Sequence, residues 1–295
     1  MTERNTPTRF ETVRPTLLGL AYRILGSRAD AEDAVQDTYL KWNAADQAEI
    51  DNPAAWLTTV CTRQCLDHLR SAHRSRTDYV GAWLPEPMQT DSNQDPEGAV
   101  AIASSLTTAF LLMLERLTPK ERAAYLLHEI FDVDYRDIAQ ALDLQETACR
   151  KLVSRAKSHV ERARVRHVTS ADNQRRLLSA FESALATGQT GALAALLTDD
   201  IVLSADGGGK VPTVAQPIYG KADVLAFIAE KLGDYWADYA KVESDINGGL
   251  GLVLTDGDAI VGTVGFAYDE KGRATDIFIM RNPDKLTRIT RPTLQ

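Results

Sequence analysis

The spacing of apolar residues changes once along this chain of 295 residues, near Ala171, and this change limits the fold more than any other feature. Before it, apolar residues recur every three or four positions, which predicts helices. After it, apolar and polar residues alternate in short stretches such as AKVESDI and AIVGTVGFAY, which predicts strands joined by turns. Because 44% of the residues are hydrophobic, the chain can bury real cores, and we expect two or three domains.

The helical part is interrupted between residues 76 and 103, where the segment DSNQDPEG favours a flexible connector. We therefore predict a first helical domain over 1–75, a linker over 76–103, a second helical domain over 104–168 and a third domain over 169–295. A helix at about 221–233 lies among the predicted strands of the third domain. That domain is consequently expected to be α+β with a meandering antiparallel sheet.

Charge and cysteine content indicate the class of protein. The formal net charge of −8 argues against a protein that only coats nucleic acid, but basic residues are concentrated at 61–76 and 146–168. This pattern is typical of a DNA-binding protein with a separate acidic surface. Cys61, Cys65 and Cys149 are too few for a disulfide framework and are expected to be reduced. No apolar run has the length of a membrane span or a leader, so we expect a cytoplasmic protein without membrane contact.

The segment 134–160 has the pattern of a helix-turn-helix. Apolar residues mark the inner faces of two helices, and Asp143 to Gln145 form a tight turn between them. The residues expected to face outward on the second helix include Arg150, Lys151, Ser154 and Arg155. Such side chains can donate to guanine edges and to phosphates in the major groove. The alternative is a solvated basic face on an ordinary helical hairpin.

The segment 28–42 is expected to form a helix with an acidic stripe. Asp30, Asp33 and Asp37 recur at helical spacing on one face, and no His or Cys lies nearby. Carboxylates in this setting favour docking to a basic protein surface over metal binding or catalysis. A solvated helix face is the alternative.

The segment 53–76 predicts a helix that becomes more basic toward its end. Trp56 supplies a stacking surface near its start, and an electropositive track with such a surface suits bases splayed out of a duplex. Cys61, Cys65 and His68 share a helical face, which raises the alternative of a metal site. A fourth ligand at zinc-like spacing is missing and Cys is commonly buried, so we predict no metal and no cofactor.

These motifs carry a resemblance. AEDAVQDTYLKW followed by PAAWLTTVCTRQCLDHLR resembles region 2 of extracytoplasmic-function sigma factors, and LTPKERAAYLLHEIFDVDYRDIAQAL with the next helix resembles their region 4. The resemblance implies a transcription initiation factor, not an enzyme, whose partners are core RNA polymerase and promoter DNA. It assigns polymerase binding to Asp30, Asp33, Gln36 and Asp37. It assigns the −10 element to Arg63, His68, Arg70 and Arg74, and the −35 element to Arg150, Lys151, Ser154 and Arg155.

This chain departs from the family pattern at three positions. Asp143 stands where the turn commonly has Gly, and Gln145 stands where a small capping residue is common. Gln64 replaces an Asn that is often found at its position. The second helix of the helix-turn-helix is therefore expected to be less ideally capped.

The C-terminal third resembles the SnoaL-like members of the NTF2-like superfamily, which are cone-shaped α+β domains with an apolar pocket. One group of sigma factors carries such a domain, together with the motifs found here as WLPEP, DGGGK and NPDKL. WLPEP is interpreted as an internal docking segment with Trp83 as its buried anchor. The interdomain and regulatory residues are predicted to be Trp83, Leu84, Pro85, Asp206, Gly207, Gly208, Gly209, Lys210, Asn282, Pro283, Asp284, Lys285 and Leu286.

The sequence is compatible with three functions of the third domain. It could control the sigma factor in cis, which would make a dedicated anti-sigma factor unlikely, or it could sense an unidentified small ligand in its pocket. It could also host cyclase or isomerase chemistry with Asp206 or Asp276 as acid or base. DGGGK is not read as a phosphate loop, because neither GKS nor GKT follows.

Overall fold

The structure is a computed structural model that describes residues 6–76, 79–89, 106–163 and 169–291. Two compact units divide the chain, one comprising Met1–Asp78 and Met113–Ala163, the other Tyr79–Leu112 and Arg164–Gln295. The predicted fold class, helical domains followed by an α+β domain, is confirmed. The division differs from the predicted domain boundaries, because the described part of the linker packs in the second unit with the sheet.

The α-helices in chain order are α1 (Thr6–Leu25), α2 (Arg28–Ala44), α3 (Pro53–Arg76), α4 (Thr108–Leu114), α5 (Pro119–Glu129), α6 (Tyr135–Leu142), α7 (Glu146–Ala163), α8 (Ala171–Thr187), α9 (Gly191–Ala194), α10 (Lys221–Phe227) and α11 (Gly233–Tyr235). A π-helical turn at Ile228–Leu232 joins α10 to α11, and short 3-10 turns lie at Gln47–Glu49 and Pro283–Lys285. None of the helices in the described part has the length and hydropathy to cross a membrane.

The helices of the first unit begin at residues that cap them. The hydroxyl of Ser27 accepts from the backbone of Asp30 at the start of α2. Thr118 and Glu121 form a reciprocal capping box at the start of α5, with Pro119 in the first turn. The core of α1, α2 and α3 contains large buried side chains such as Trp42.

The helix-turn-helix consists of α6 and α7. Asp134 caps α6, and its carboxylate accepts from the backbone of Asp137. The helix ends at Asp143, whose φ of 52° lies in the left-handed region. A residue other than Gly is strained there, which agrees with Gly being common at this position of the turn.

The second unit is built on one sheet with strands β1 (Leu197–Asp206), β2 (Ile218–Tyr219), β3 (Ala240–Ile246), β4 (Gly249–Asp256), β5 (Ala259–Tyr268) and β6 (Ala274–Met280). Their order is β2-β1-β6-β5-β4-β3. The predicted antiparallel meander holds for β3 to β6, but β1 pairs parallel with β6. The reason is the long connection through α10 and α11, which carries the chain from the end of β1 to the opposite edge of the sheet.

Alternate residues of the strands serve two separate cores. On β6, Ile277 and Ile279 point to the face that α8 covers with Phe181. Phe278 and Met280 point to the other face. This second core is completed from outside the sheet by Leu84, Ala109, Leu286 and Ile289. The linker and the start of α4 thus supply part of the hydrophobic core of the second unit.

Candidate functional site

The second helix of the helix-turn-helix presents a basic face to solvent. Its buried side is formed by Cys149, Val153, Ala156 and Val160. The exposed side contains the four residues assigned to the −35 element, Arg150, Lys151, Ser154 and Arg155. The spacing of these side chains along one face of an α-helix suits contacts to successive bases in a major groove.

These exposed residues border an open groove of about 600 Å³. Its other wall includes Lys120, which sequence reasoning did not select. The Lys120 ammonium donates to the carbonyl of Leu142 at the end of α6, 3.0 Å away. Only tertiary packing reveals this residue, because it precedes the helix-turn-helix in sequence. The groove thus carries one more positive charge than was predicted.

Two of the arginines on this face are oriented by neighbours. The guanidinium of Arg150 lies over the ring of Tyr135, 4.1 Å from its centroid. A nitrogen of Arg155 lies 3.1 Å from a carboxylate oxygen of Glu121. Partial burial raises the pKa of Glu121, but hydrogen bonds from Thr118 and the charge of Arg155 outweigh it and hold the pKa below its usual value. Glu121 is therefore ionised at neutral pH, and DNA must compete with it for Arg155.

Arg63, assigned to the −10 element, contacts the helix-turn-helix. Its guanidinium donates to the carbonyls of Gln140 and Ala141 at 2.6 and 3.1 Å. These carbonyls belong to the last turn of α6, where a helix leaves acceptors without partners. In this arrangement the predicted reader of one promoter element is bound to the domain that carries the reader of the other.

The other residues assigned to the −10 element differ in environment. His68 is half-buried, with its Nε2 3.9 Å from an Asp37 oxygen, and Arg70 is exposed and pairs with Asp67 at 2.8 Å. The side chain of Arg74 lies outside the described residues. Cys61 and Cys65 are fully buried, and the described part of the chain contains no group of three potential ligands that could hold a metal ion.

The acidic face of α2 is only partly free for docking. Asp33 and Gln36 are exposed, whereas Asp30 is half-buried in the first turn of the helix. Asp37 differs from the prediction of a single solvent-facing stripe, because it accepts a hydrogen bond from Gln64 of α3 at 3.1 Å. Leu40 follows on the exposed face, and 56% of its surface is accessible to solvent. Sequence reasoning missed Leu40, although its spacing from Asp33 and Gln36 would have placed it on their face.

In the second unit, the three short motifs meet at Asp206, which has no solvent exposure. One carboxylate oxygen accepts from the hydroxyl of Tyr79 at 2.6 Å and from the backbone of Gly208 at 3.0 Å. The other accepts from the backbone of Leu84 at 2.9 Å and from the ammonium of Lys285 at 2.7 Å. Burial and the hydrogen bond to Asp206 raise the pKa of Tyr79, so its hydroxyl remains a donor. We call Tyr79–Gln89, held in this way, the clasp segment.

Further bonds join DGGGK to NPDKL. The Lys210 ammonium lies 2.6 Å from an Asp284 oxygen on the surface, and the side chain of Asn282 donates to the hydroxyl of Tyr79 at 2.9 Å. Gly208 has a φ of 62°, and a Cβ there would come within 2.4 Å of the Asn282 side chain. This close approach explains the need for glycine at that position.

The anchor of WLPEP is Leu84 and not Trp83, which corrects the prediction. Leu84 is 2% exposed and belongs to the second core of the sheet, and Pro85 is also buried. Trp83 is half-buried, with its ring 4.6 Å from the Lys285 ammonium. Because Lys285 also donates to the carbonyl of Leu84 at 2.7 Å, the Trp83 ring shields a charged contact from water.

A second set of hydrogen bonds holds the C-terminal end of the clasp segment. The backbone of Asn247 donates to the carbonyl of Met88 at 2.7 Å, and its side chain accepts from the backbone of Met88 at 3.1 Å. The same side chain donates to the carbonyl of Leu106 at 3.0 Å. Gln89 forms a bridge to Ile246 and exchanges hydrogen bonds with Thr290. Sequence reasoning missed Asn247, which it took only as part of a turn.

The predicted pocket of the third domain is present as a cavity of about 460 Å³ on the α8-covered face of the sheet. Its described lining residues are Ala205, Pro212, Thr213, Val214, Phe227, Lys231, Leu232, Tyr235, Trp236, Tyr239, Ile279 and Arg281. Asp206 and Asp276, the candidate acid or base, are not among them. Each alternates along its strand with residues of that face, and therefore points to the opposite side.

Comparisons with known proteins match the two helical regions to sigma factor families and most of the chain to individual sigma factors. The family description "Sigma-70 region 2" matches residues 9–75, and "Sigma-70, region 4" matches residues 107–160. The ECF RNA polymerase sigma factor SigJ of Mycobacterium tuberculosis is 35% identical over 290 residues, which are 94% of this chain and 92% of SigJ. SigI of the same species is 33% identical over 244 residues, or 74% of this chain and 83% of SigI. The crystal structure of SigJ aligns with 95% of this chain and 98% of its own, with a TM-score of 0.75 and 33% identity.

Proposed function

This chain belongs to the extracytoplasmic-function sigma factors, and from that premise we propose that its third domain controls promoter recognition in cis through the clasp segment. Sigma factors bind core RNA polymerase and promoter DNA. The clasp segment lies in sequence between the regions that read the two promoter elements, and its hydrogen bonds converge on the buried carboxylate of Asp206. That convergence is the observation that carries the proposal.

The basic face of α7 reads the −35 element. Arg150 and Arg155 donate to base edges, Lys151 and Ser154 contact bases or phosphates, and Lys120 adds a phosphate contact from the other side of the groove. Support comes from the exposure of these side chains and from the Tyr135 ring, which orients Arg150. A preset orientation lowers the entropy lost on binding.

Core polymerase binds the exposed face of α2. Asp33 and Gln36 supply polar contacts, and Leu40 supplies an apolar contact one helical turn further on. A charged rim beside an exposed apolar side chain is a common composition for a protein interface. Asp37 contributes indirectly, because its bond to Gln64 fixes α2 against α3.

The first unit is in a closed state that cannot occupy both promoter elements together. Elements centred about 25 base pairs apart are separated by about 85 Å of B-DNA. A compact unit of this size has a radius of gyration of only about 14 Å. Because Arg63 is hydrogen-bonded to Gln140 and Ala141, the two readers are adjacent, and promoter binding requires them to separate.

Control in cis follows from the need to separate these regions. The clasp segment and the start of α4 are held on the sheet of the second unit, so their residues are not available to extend the connection between the readers. Release of the clasp segment lengthens that connection and favours the open state. The third domain is thus a brake on a cytoplasmic sigma factor, and a dedicated anti-sigma factor is not required.

Reconstituted transcription with core polymerase and a cognate promoter tests this function. Asp206→Asn loosens the clasp segment and is expected to raise promoter-specific transcription per mole of sigma factor. Asp284→Asn removes only the exposed ion pair with Lys210 and serves as the matched control. Activity at or below the parent level in Asp206→Asn, with the fold intact by circular dichroism, would contradict the brake. Truncation near Ala171 is a poorer test, because it also removes the sheet against which Leu84 and Ala109 pack.

The cavity favours sensing as a second function of the third domain, and catalysis is not proposed. The relatives are sigma factors, and the candidate acid or base residues Asp206 and Asp276 point away from the cavity.

A further inference from the structure

The cavity of the second unit lies where the parallel strands β1 and β6 end side by side. Ala205 and Ile279 form its floor, and Trp236 and Leu232 close it from the helical side. A volume of about 460 Å³ lies within the usual range for small-molecule sites. The wall is mainly apolar and aromatic, so a ligand must itself present an apolar body.

One side chain of this wall has an unmet hydrogen-bonding need. The Nε of Arg281 is buried, and the described residues offer it no hydrogen-bond partner. The rest of its guanidinium lies over the Tyr239 ring, 5.3 Å from the centroid, and a terminal nitrogen lies 3.4 Å from the Tyr239 hydroxyl. No carboxylate of the described residues pairs with this guanidinium, and Arg281 lines the cavity, which favours an anionic acceptor supplied from the cavity.

The surroundings of Arg281 hold it in place. Gly262 of β5 makes room for it, because a Cβ at that position would lie 2.9 Å from the Cδ of Arg281. The loop that carries Trp236 and Tyr239 is fixed by Lys241, whose ammonium donates to both backbone carbonyls at 2.9 and 3.1 Å. A site with fixed donors loses little entropy when a ligand binds.

The helical wall of the cavity is also irregular in a way often found at functional sites. Ile228–Leu232 form a π-helical turn, and Lys231 of this turn stands exposed at the cavity mouth. Gly233 follows, where a Cβ would come within 2.5 Å of the Leu185 carbonyl. Lys231 adds a second positive charge to the described lining of the cavity.

We propose that this cavity binds a small apolar monocarboxylate, an acid with an aromatic ring or a short hydrocarbon body. The carboxylate accepts from the guanidinium of Arg281, which lines the cavity, and the apolar body lies among Val214, Leu232, Trp236 and Ile279. The half-buried guanidinium of Arg281 balances one negative charge, and the Lys231 ammonium at the rim is exposed to water, so a phosphate dianion would enter this apolar wall with an excess charge. The apolar body distinguishes this site from a general anion site.

Calorimetric titration of the full chain with matched acids and amides tests the site. The probes are naphthoate with naphthamide and phenylbutyrate with phenylbutyramide, which differ only in the charged group. Each acid is expected to bind at least about tenfold more tightly than its amide, because a charge-assisted bond is lost in the amide. Inorganic phosphate is expected not to displace naphthoate.

Variants identify the group responsible. Arg281→Gln should reduce naphthoate binding to the level of naphthamide, while Arg176→Gln, which removes an exposed arginine of α8, should leave it unchanged. If Arg281→Gln does not fold by circular dichroism, Lys231→Gln on the exposed rim is the second variant and should weaken naphthoate roughly two- to fivefold.

Several results would overturn the assignment. They are equal affinities of acid and amide, an unchanged affinity in Arg281→Gln, displacement of naphthoate by phosphate, or no binding of any probe at millimolar concentration. Binding is measured without polymerase or DNA, so its outcome is independent of the cis control proposed above.

Discussion

Replacement of Asp206 by Asn should free the clasp segment from the sheet. The carboxylate has no solvent exposure and receives two donors on each oxygen. An amide keeps a single oxygen, so its NH2 group must face either Tyr79 and Gly208 or Leu84 and Lys285. In both orientations two donors lose their acceptor, and Lys285 loses its counter-charge.

The free energy lost in Asp206→Asn follows from the burial of the Asp206–Lys285 ion pair. The side chain of Lys285 is 14% exposed and that of Asp206 is 0% exposed. Removal of one partner of a buried pair costs about 3–5 kcal/mol, and each 1.4 kcal/mol is a factor of ten in an equilibrium. Local opening of the clasp segment should therefore become at least about a hundredfold more frequent.

Hydrogen exchange followed by mass spectrometry measures this opening. Peptides that cover 79–89 should exchange faster in Asp206→Asn, and peptides from the centre of β5 provide the reference for opening of the whole unit. Asp284→Asn is the control, since the Lys210–Asp284 pair is exposed and contributes at most about 1 kcal/mol. Equal protection of 79–89 in the parent and Asp206→Asn, or equal loss in both variants, would refute this account of the clasp segment.

Three other substitutions have defined outcomes. Asp143→Gly should raise the free energy of unfolding of the first unit by about 0.5–1 kcal/mol in urea titrations, because it relieves a left-handed φ of 52°; a lower stability would contradict this. Arg150→Ala and Arg155→Ala should each weaken binding to −35 DNA by about 1–3 kcal/mol in anisotropy titrations, and Lys157→Ala, which removes a partner of Glu129, should weaken it less. Parent-level transcription from both arginine variants would exclude base contacts. Asp33→Lys should reduce co-purification with core polymerase without loss of helicity, and undiminished co-purification would remove Asp33 from that interface.

The strands of the third domain could be predicted because two local signals agree. Alternation places residues on the two faces, and the turns between β3 and β6 contain residues that accept a positive φ, namely Asn247, Gly248, Gly257 and Gly272. The parallel pairing of β1 with β6 could not be predicted in the same way. It depends on where the chain returns after a long connection, and no local pattern encodes that return.

The helix-turn-helix could also be predicted from its sequence, whereas the contacts between distant segments could not. The buried and exposed sides of α7 follow helical periodicity alone. The bonds from Arg63 to Gln140 and Ala141 use backbone carbonyls as acceptors, and these are present at every residue and leave no sequence signal. Lys120 and Asn247 also donate to backbone carbonyls, so their roles could not be predicted from the sequence either.

WLPEP was predicted as a docking segment, but its anchoring residue could not be identified from a composition that is polar and rich in proline. A segment of this composition packs when its donors find buried acceptors, and Leu84 has both an apolar side chain in the second core and a backbone bond to Asp206. Trp83 was predicted as the anchor because its aromatic side chain is large, but the smaller side chain of Leu84 is more deeply buried.

Two parts of the chain depend on the single side chain of Asn247. Its oxygen accepts from the backbone of Met88, and its nitrogen donates to the carbonyl of Leu106. Because one buried amide serves both partners, a change of this side chain removes both bonds together, so Met88 and Leu106 are coupled although they are far apart in sequence.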